Sequence, residues 1–392
     1  MYNYDNPQRK WRMKKTVWLA MLLLVIGGCA RRENRVDKVI EDGIEVILNG
    51  MEPYKLPDVQ SPVMLEEEWV IDLESGDVSK TGLYQIDTFA VDADGSIYIL
   101  NLQSEKDHIF KFKPGGKFEK SFGRHGQGPG ELGRPNALSL TLDQELMVTD
   151  PNNTKLVYLT REGGLIREVP LNRNIPFAQP LSNNRFVVFG RMQPDIEKRF
   201  MKYPLELCDE NIEPIKMLDE YRMENFRITR RLRGTQPGFG LAVGGSRIFI
   251  GNEARDYEIW VYNVEGILIQ KIRKEHYSLP VTEAIKEKAL SRYDENVKPM
   301  VFFPETLPPF RTMTADEEGS LYVVTFEESD QAGENRIDVF NPDGAFIGRL
   351  SAAVFVNPGT PIDVVAHKGR FYYIRETESG FKQLVVEKII LQ

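Results

Sequence analysis

Phe89-Ala-Val-Asp-Ala-Asp-Gly-Ser-Ile-Tyr-Ile-Leu-Asn101 sets two short apolar runs on either side of an Asp-Gly turn. Asp-Gly supplies the positive φ that a tight hairpin needs, so the stretch reads as two antiparallel strands. The chain continues with Ile109-Phe-Lys-Phe112, a Pro-Gly-Gly116 turn and Lys117-Phe-Glu-Lys-Ser-Phe122, which adds a third strand, a turn and a fourth strand. Ile97-Tyr-Ile-Leu100 is apolar on both faces. A sheet with one wet face would alternate, so this one is expected to be covered on both sides.

Outward from this unit the same order returns. Met313-Thr-Ala-Asp-Glu-Glu-Gly-Ser-Leu-Tyr-Val-Val324 is followed by Arg336-Ile-Asp-Val-Phe340 and a Pro-Asp-Gly turn. Ala137–Asp150 with Lys155–Tyr158, and Phe239–Val243 with Arg247–Ile250 and Tyr257–Tyr262, are further copies. Weaker ones start near Phe177 and Ile362. Turn anchors at Gly95, Gln144, Asn184, Gly245, Gly319 and Gly369 stand 49, 40, 61, 74 and 50 residues apart. Four strands at such a period make the blade of a β-propeller. The spacing predicts an all-β, six-bladed β-propeller over residues 61–392. The sixth unit has three strands of its own, and Glu68-Trp-Val-Ile-Asp-Leu73 is the expected fourth, closing the ring with an N-terminal strand.

The loop Phe122-Gly-Arg-His-Gly-Gln-Gly-Pro-Gly-Glu-Leu-Gly-Arg-Pro135 resembles the segment before a blade in NHL-type propellers. Over roughly residues 60–392 the chain resembles the six-bladed β-propeller lipoproteins of the Bacteroidetes, of the NHL/TolB-like type. The resemblance implies a fold and no particular activity.

Composition agrees with a folded chain: 41% hydrophobic residues, with 50 Lys+Arg against 58 Asp+Glu and a net charge of −8. An acidic pI near 5.4 argues against a nucleic-acid partner. Met13-Lys-Lys15, the apolar run Val17–Ile26 and Gly27-Gly28 form a signal peptide over residues 1–28, with residues 1–12 read as a misplaced start. Cys29 follows directly, and the order resembles a bacterial lipobox. It implies lipidation of Cys29 and an N-terminal lipid anchor to the membrane. Acyl chains at ~0.8 kcal/mol per buried CH₂ hold such a protein on the bilayer without a spanning helix. The expected home is the cell envelope, at the outer membrane. Residues 29–60 read as the lipidated Cys and a linker. Cys208 is then the one thiol of the mature chain and reads as a buried small hydrophobe.

Candidate chemistry is sparse. Gly126-Gln-Gly-Pro-Gly-Glu131 lacks the Gly-Lys-Ser/Thr ending of a phosphate loop and reads as an inter-blade turn. His108, His125, His276 and His367 fall in separate units without paired spacing and read as loop histidines. Asn101, Asp150 and Asn252 end comparable second strands and are the metal candidates; no cofactor is expected, and Ca²⁺ or Zn²⁺ would be the ion of such a site. Arg222, Arg227, Arg230, Arg231 and Arg233 form an Arg-rich stretch whose guanidinium forks suit carboxylate or sulfate groups. A helix is expected from Pro280 to Tyr293, capped by Thr282, within an insertion over about 280–309 that continues through Phe302 and Phe303. The insertion would lie across one mouth of the ring.

The reading is a ligand- or protein-binding platform without catalysis, its partner a peptide, a glycan or an envelope protein. A metal-dependent hydrolase or lyase in the central channel is the alternative. It requires three of Asn101, Asp150, Asn252, His108 and His367 within coordination reach at one mouth. A structural scaffold of an outer-membrane complex is the third reading, marked by exposed apolar residues on the ring exterior.

Overall fold

The computed structural model describes residues 36–173, 175–190, 192–195, 197–356 and 364–392. Residues 1–28, read above as a signal peptide, and Cys29 lie outside the described residues. Six four-stranded blades run around a central axis, each an antiparallel meander: 88–124, 137–170, 178–224, 239–274, 312–352 and 364–391. Blade 3 also carries a two-residue strand at Gln193–Pro194. The ring closes as the sequence predicts. Strand β3 (Pro62–Asp72) pairs antiparallel with the last strand, Lys382–Leu391, in a register from Gln383↔Asp72 to Leu391↔Pro62.

The two-faced apolar strands have a direct explanation. Six apolar clusters occupy the interfaces between neighbouring blades, and alternate residues of one strand enter opposite clusters. Ile97 and Ile99 pack toward blade 6, while Tyr98 and Leu100 pack toward blade 2. Burial at about 25 cal/mol per Å² therefore stabilises both faces of every sheet.

The repeated Asp-x-x-Gly-Ser-x-Tyr carries its own fastening. Asp92 accepts the Asp94 and Ser96 N–H groups through Oδ1 and the Tyr98 hydroxyl through Oδ2 (2.9 Å). Asp316 does the same for Ser320 N–H and the Tyr322 hydroxyl (3.2 Å). Gly95, at φ 85°, holds the left-handed position of that turn.

Two features differ from expectation. The expected linker contains a hairpin, β1 (Asp37–Glu41) and β2 (Ile44–Asn49), and β2 adds in parallel to the outer strand Leu268–Lys274 of blade 4. The physical reason is a turn, Asp42-Gly43, with both residues at positive φ (52° and 82°) between β-branched runs. Besides the expected helix there is a short one, α1 (Phe226–Thr229), after the outer strand of blade 3. The expected helix is α2 (Glu283–Leu290); the Thr282 hydroxyl accepts the Ile285 N–H, and Ala289 is its buried face. Among the described residues no helix is long and apolar enough to cross a membrane.

Candidate functional site

Antiparallel pairing fixes what each end of the ring presents. First strands run alike in every blade, so inter-blade connections and second-to-third-strand loops gather at one mouth. The tight hairpins gather at the other. At the first mouth lies a cavity of about 520 Å³. Its walls come from the connections into blades 4, 5 and 6, from the loops of blades 5 and 6, and from the end of α2. A smaller cavity of about 140 Å³ lies among the inner strands of blades 3 to 6, lined mainly by apolar residues such as Phe177, Leu241, Met313 and Val364.

The wall residues are held by identifiable contacts. Leu232–Arg233 pairs in parallel with Val301–Phe302, which joins the blade 3–4 connection to the insertion. A Cβ at Gly234 would overlap the Phe303 ring, so only glycine permits this approach. Arg233 forms a bidentate pair with Glu253 (2.5 and 2.8 Å) and donates through Nε to Thr235 Oγ1 (3.0 Å). Across the cavity Arg311 donates to Asn335 Oδ1 (2.5 Å), and Gln236 donates to the Arg311 carbonyl (3.3 Å).

Lys288 and Arg292, one turn apart at the end of α2, line the same cavity and are exposed. Neither side chain has an ion-pair or hydrogen-bond partner among the described residues. Like charges four residues apart cost a helix about 0.2–0.5 kcal/mol. Tyr293, half-buried, and Glu376 complete that side.

The Arg-rich stretch does not form one surface. Arg222 lies exposed on the outer strand of blade 3, its Nε donating to Glu220 (2.8 Å). Arg227 is on α1, and Arg230 ends that helix at φ 56°, over the Phe226 ring (5.8 Å). Arg231 stacks on Phe302 (4.2 Å) and pairs with Glu224 (3.2 Å). Of the five, only Arg233 lines the cavity. The turn to α1 breaks the strand and separates the rest. Lys288, Arg292, Arg311, Asn335 and Glu376 carry no motif, although the i, i+4 repeat of positive charge was visible at Lys288 and Arg292.

The metal candidates are each held by hydrogen bonds. Each ends a second strand at this mouth, and each is engaged by neighbouring backbone. Asp150 accepts the Gly133 and Arg134 N–H groups (2.7 and 3.0 Å) and Asn153 Nδ2 (2.9 Å). Asn252 accepts the Ala254 N–H and donates to the Glu220 carbonyl. Asn101 Oδ1 accepts the Gln103 N–H (3.2 Å). His367 ends an inner strand, at the opposite mouth, and pairs with Glu317. Among the described residues no three His, Cys, Asp or Glu side chains are grouped to hold an ion. The side-chain oxygens of all three candidates are engaged in hydrogen bonds within the protein.

The histidines are a correction. His108 is not a loop residue but buried in a strand, its Nδ1 on the Asn101 carbonyl (2.9 Å) and its Nε2 facing His125 Nδ1 (3.2 Å). Burial pushes its imidazole below the ordinary range. The loop 125–136 folds back over blade 1 and makes a pair that linear spacing hides.

Comparisons with known proteins agree with the ring. The family DUF5128, a 6-bladed beta-propeller, matches residues 58–231, less than half of the chain. No curated protein matches the chain. A solved protein from Bacteroides fragilis, named for its export, is 13% identical with a TM-score of 0.51, covering 88% of this chain and 99% of that one. The chain is a six-bladed β-propeller. A DUF4221 member from Bacteroides vulgatus is 13% identical with a TM-score of 0.47, covering 92% and 99%. A gluconolactonase from Xanthomonas campestris is 10% identical with a TM-score of 0.39, covering 84% and 97%.

Proposed function

We propose that this propeller is a lipid-anchored binding platform of the cell envelope, probing its surroundings with the cavity at the inter-blade mouth. The cavity carries the reading: about 520 Å³, walled by loops of three blades, with polar and charged side chains and apolar Val354 and Phe355 side by side. A volume of about 300–1,000 Å³ is that of small-ligand sites. The Cys29 sequence supports the anchor, and the acidic balance of the chain supports a partner other than nucleic acid. The platform reading needs no reacting group, and the mouth offers rigid walls on a fixed frame. Replacing Cys29 with Ser should release the protein from membranes. A screen of glycans and peptides should then find a ligand, and Ala353→Trp, which enlarges a small half-buried residue of the cavity wall, should abolish its capture. Membrane fractionation unchanged by Cys29→Ser counts against the anchor, and capture unchanged by Ala353→Trp counts against the cavity.

One observation favours the scaffold reading as a second. The outer strand of blade 3, Pro214–Glu224, ends its sheet and exposes Ile215 and Met217. Co-purification with an envelope protein, lost in Met217→Glu, would support it.

A further inference from the structure

We propose that the mouth cavity binds a carbohydrate that bears a carboxylate, with Lys288 and Arg292 holding the acid group and the polar wall holding the hydroxyls. The inference rests on the binding-platform reading and names its ligand class.

Charge is the first argument. The chain is acidic overall, at −8, yet four bases line one cavity and a single carboxylate, Glu376, faces them. Arg233 is matched by Glu253 and Arg311 is tied to Asn335. Lys288 and Arg292 have no such partner among the described residues, although they stand one turn apart where each repels the other. A carboxylate between them would relieve that repulsion and form charge-assisted hydrogen bonds with both.

The rest of the lining argues for a sugar. Thr235, Gln236, Asn335 and Glu376 supply hydroxyl, amide and carboxylate groups, which match the alternating donors and acceptors of a sugar ring. Tyr293 adds an aromatic ring beside the two cations, an apolar face with a polar tip. A peptide that binds by adding a strand would need an exposed sheet edge. Here the walls are loops from three blades around a concave space.

The probes are digalacturonate, its uncharged counterpart galactobiose, and tetra-aspartate, each titrated calorimetrically into the full chain at low salt. Digalacturonate should bind roughly ten-fold or more tightly than galactobiose, and added salt should weaken it. The Lys288→Gln/Arg292→Gln double variant should lose that advantage. The charge-keeping Lys288→Arg/Arg292→Lys variant should retain it, which shows that the positive charge at these two positions, and not one particular side chain, carries the advantage. Absence of digalacturonate binding, equal affinity for galactobiose, or full binding by the Gln variant overturns the proposal. Tighter binding of tetra-aspartate overturns the sugar assignment and makes the site one for acidic peptides. None of these outcomes removes the platform reading, which falls only if the wider screen finds no ligand sensitive to Ala353→Trp.

Discussion

Glu387 sits on the seam where the two ends of the chain meet. It lies on the last strand opposite Glu67 of β3, with Glu334 also near, and its Oε2 has no hydrogen-bond partner among the described residues. Burial first, and then the Glu67 charge, push its carboxyl from 4.5 up to about 7. A carboxyl raised in the folded state binds its proton more tightly there than in the unfolded chain. Its contribution is fully present below pH 4.5 and is lost as pH rises through about 7. At ~1.36 kcal/mol per pH unit the full difference is roughly 3 kcal/mol. The residue is partly exposed, so solvent screening reduces this to about 1–2 kcal/mol. Glu387→Gln mimics the protonated acid. It should stay within about 0.5 kcal/mol of the parent at pH 5 and be more stable by about 1–2 kcal/mol at pH 8. Urea unfolding at both pH values tests this, with Trp69 fluorescence as the probe because Trp69 faces Val386 across the same seam. Equal stability of the two proteins at pH 8, or the same advantage for Glu387→Gln at pH 5, would refute the reasoning.

Asn49 is 3% exposed, accepts the Phe346 N–H (2.8 Å) and donates to the Gly344 carbonyl (3.1 Å), so Asn49→Ala should cost about 1–3 kcal/mol in urea unfolding. The Cys208 thiol is fully buried and pushed up to about 12 by burial; in a Cys29→Ser chain a thiol reagent at pH 8 should leave it unmodified until urea unfolds the ring. Thr282→Ala removes the cap of α2 and should cost about 1 kcal/mol locally, read as faster amide exchange over 283–290 with little change in global melting.

The ring was legible because its stabilisation is periodic. Asp92 and Asp316 stand at the same place in two units, each six residues before a tyrosine that donates back to it, and each unit shows it in its sequence. The closing strand was legible for a different reason: an unpaired blade edge demands a partner, and Trp69-Val-Ile71 was the apolar run left over. The β1–β2 hairpin carried an equally plain signal in Asp42-Gly43, but it lies outside the repeat, within a stretch whose composition reads as a linker. The mouth was not legible. Arg222 and Arg233 are eleven positions apart in one basic run, yet a bend at α1 sends only the second into the cavity. Arg311 and Glu376 reach the same wall from blades 5 and 6, and no local pattern ties them to Lys288. A closed ring converts sequence distance into angle around an axis, so residues of one site share a mouth rather than a motif.

The same geometry connects the N-terminal segment to the mouth. β2 extends the outer edge of blade 4, Asn49 and Tyr54 bond to the backbone around Phe346 in blade 5, Arg349 of that blade donates to the Met51 carbonyl (2.6 Å), and β3 completes blade 6. Blades 4, 5 and 6 are the three whose loops wall the cavity. Residues 37–72 therefore lace, from the outside, the part of the ring that carries the site on its end. Because neighbouring blades share one apolar cluster per interface, a blade cannot tilt without disturbing its partners. A loosened lace should reach the cavity as a change in the relative tilt of these blades. Asn49→Ala should then weaken a mouth ligand as well as the fold, whereas an equally destabilising change between blades 1 and 2, such as Leu138→Ala, should lower stability and leave affinity intact. Equal loss of affinity in both variants would show that the lace has no special hold on the site.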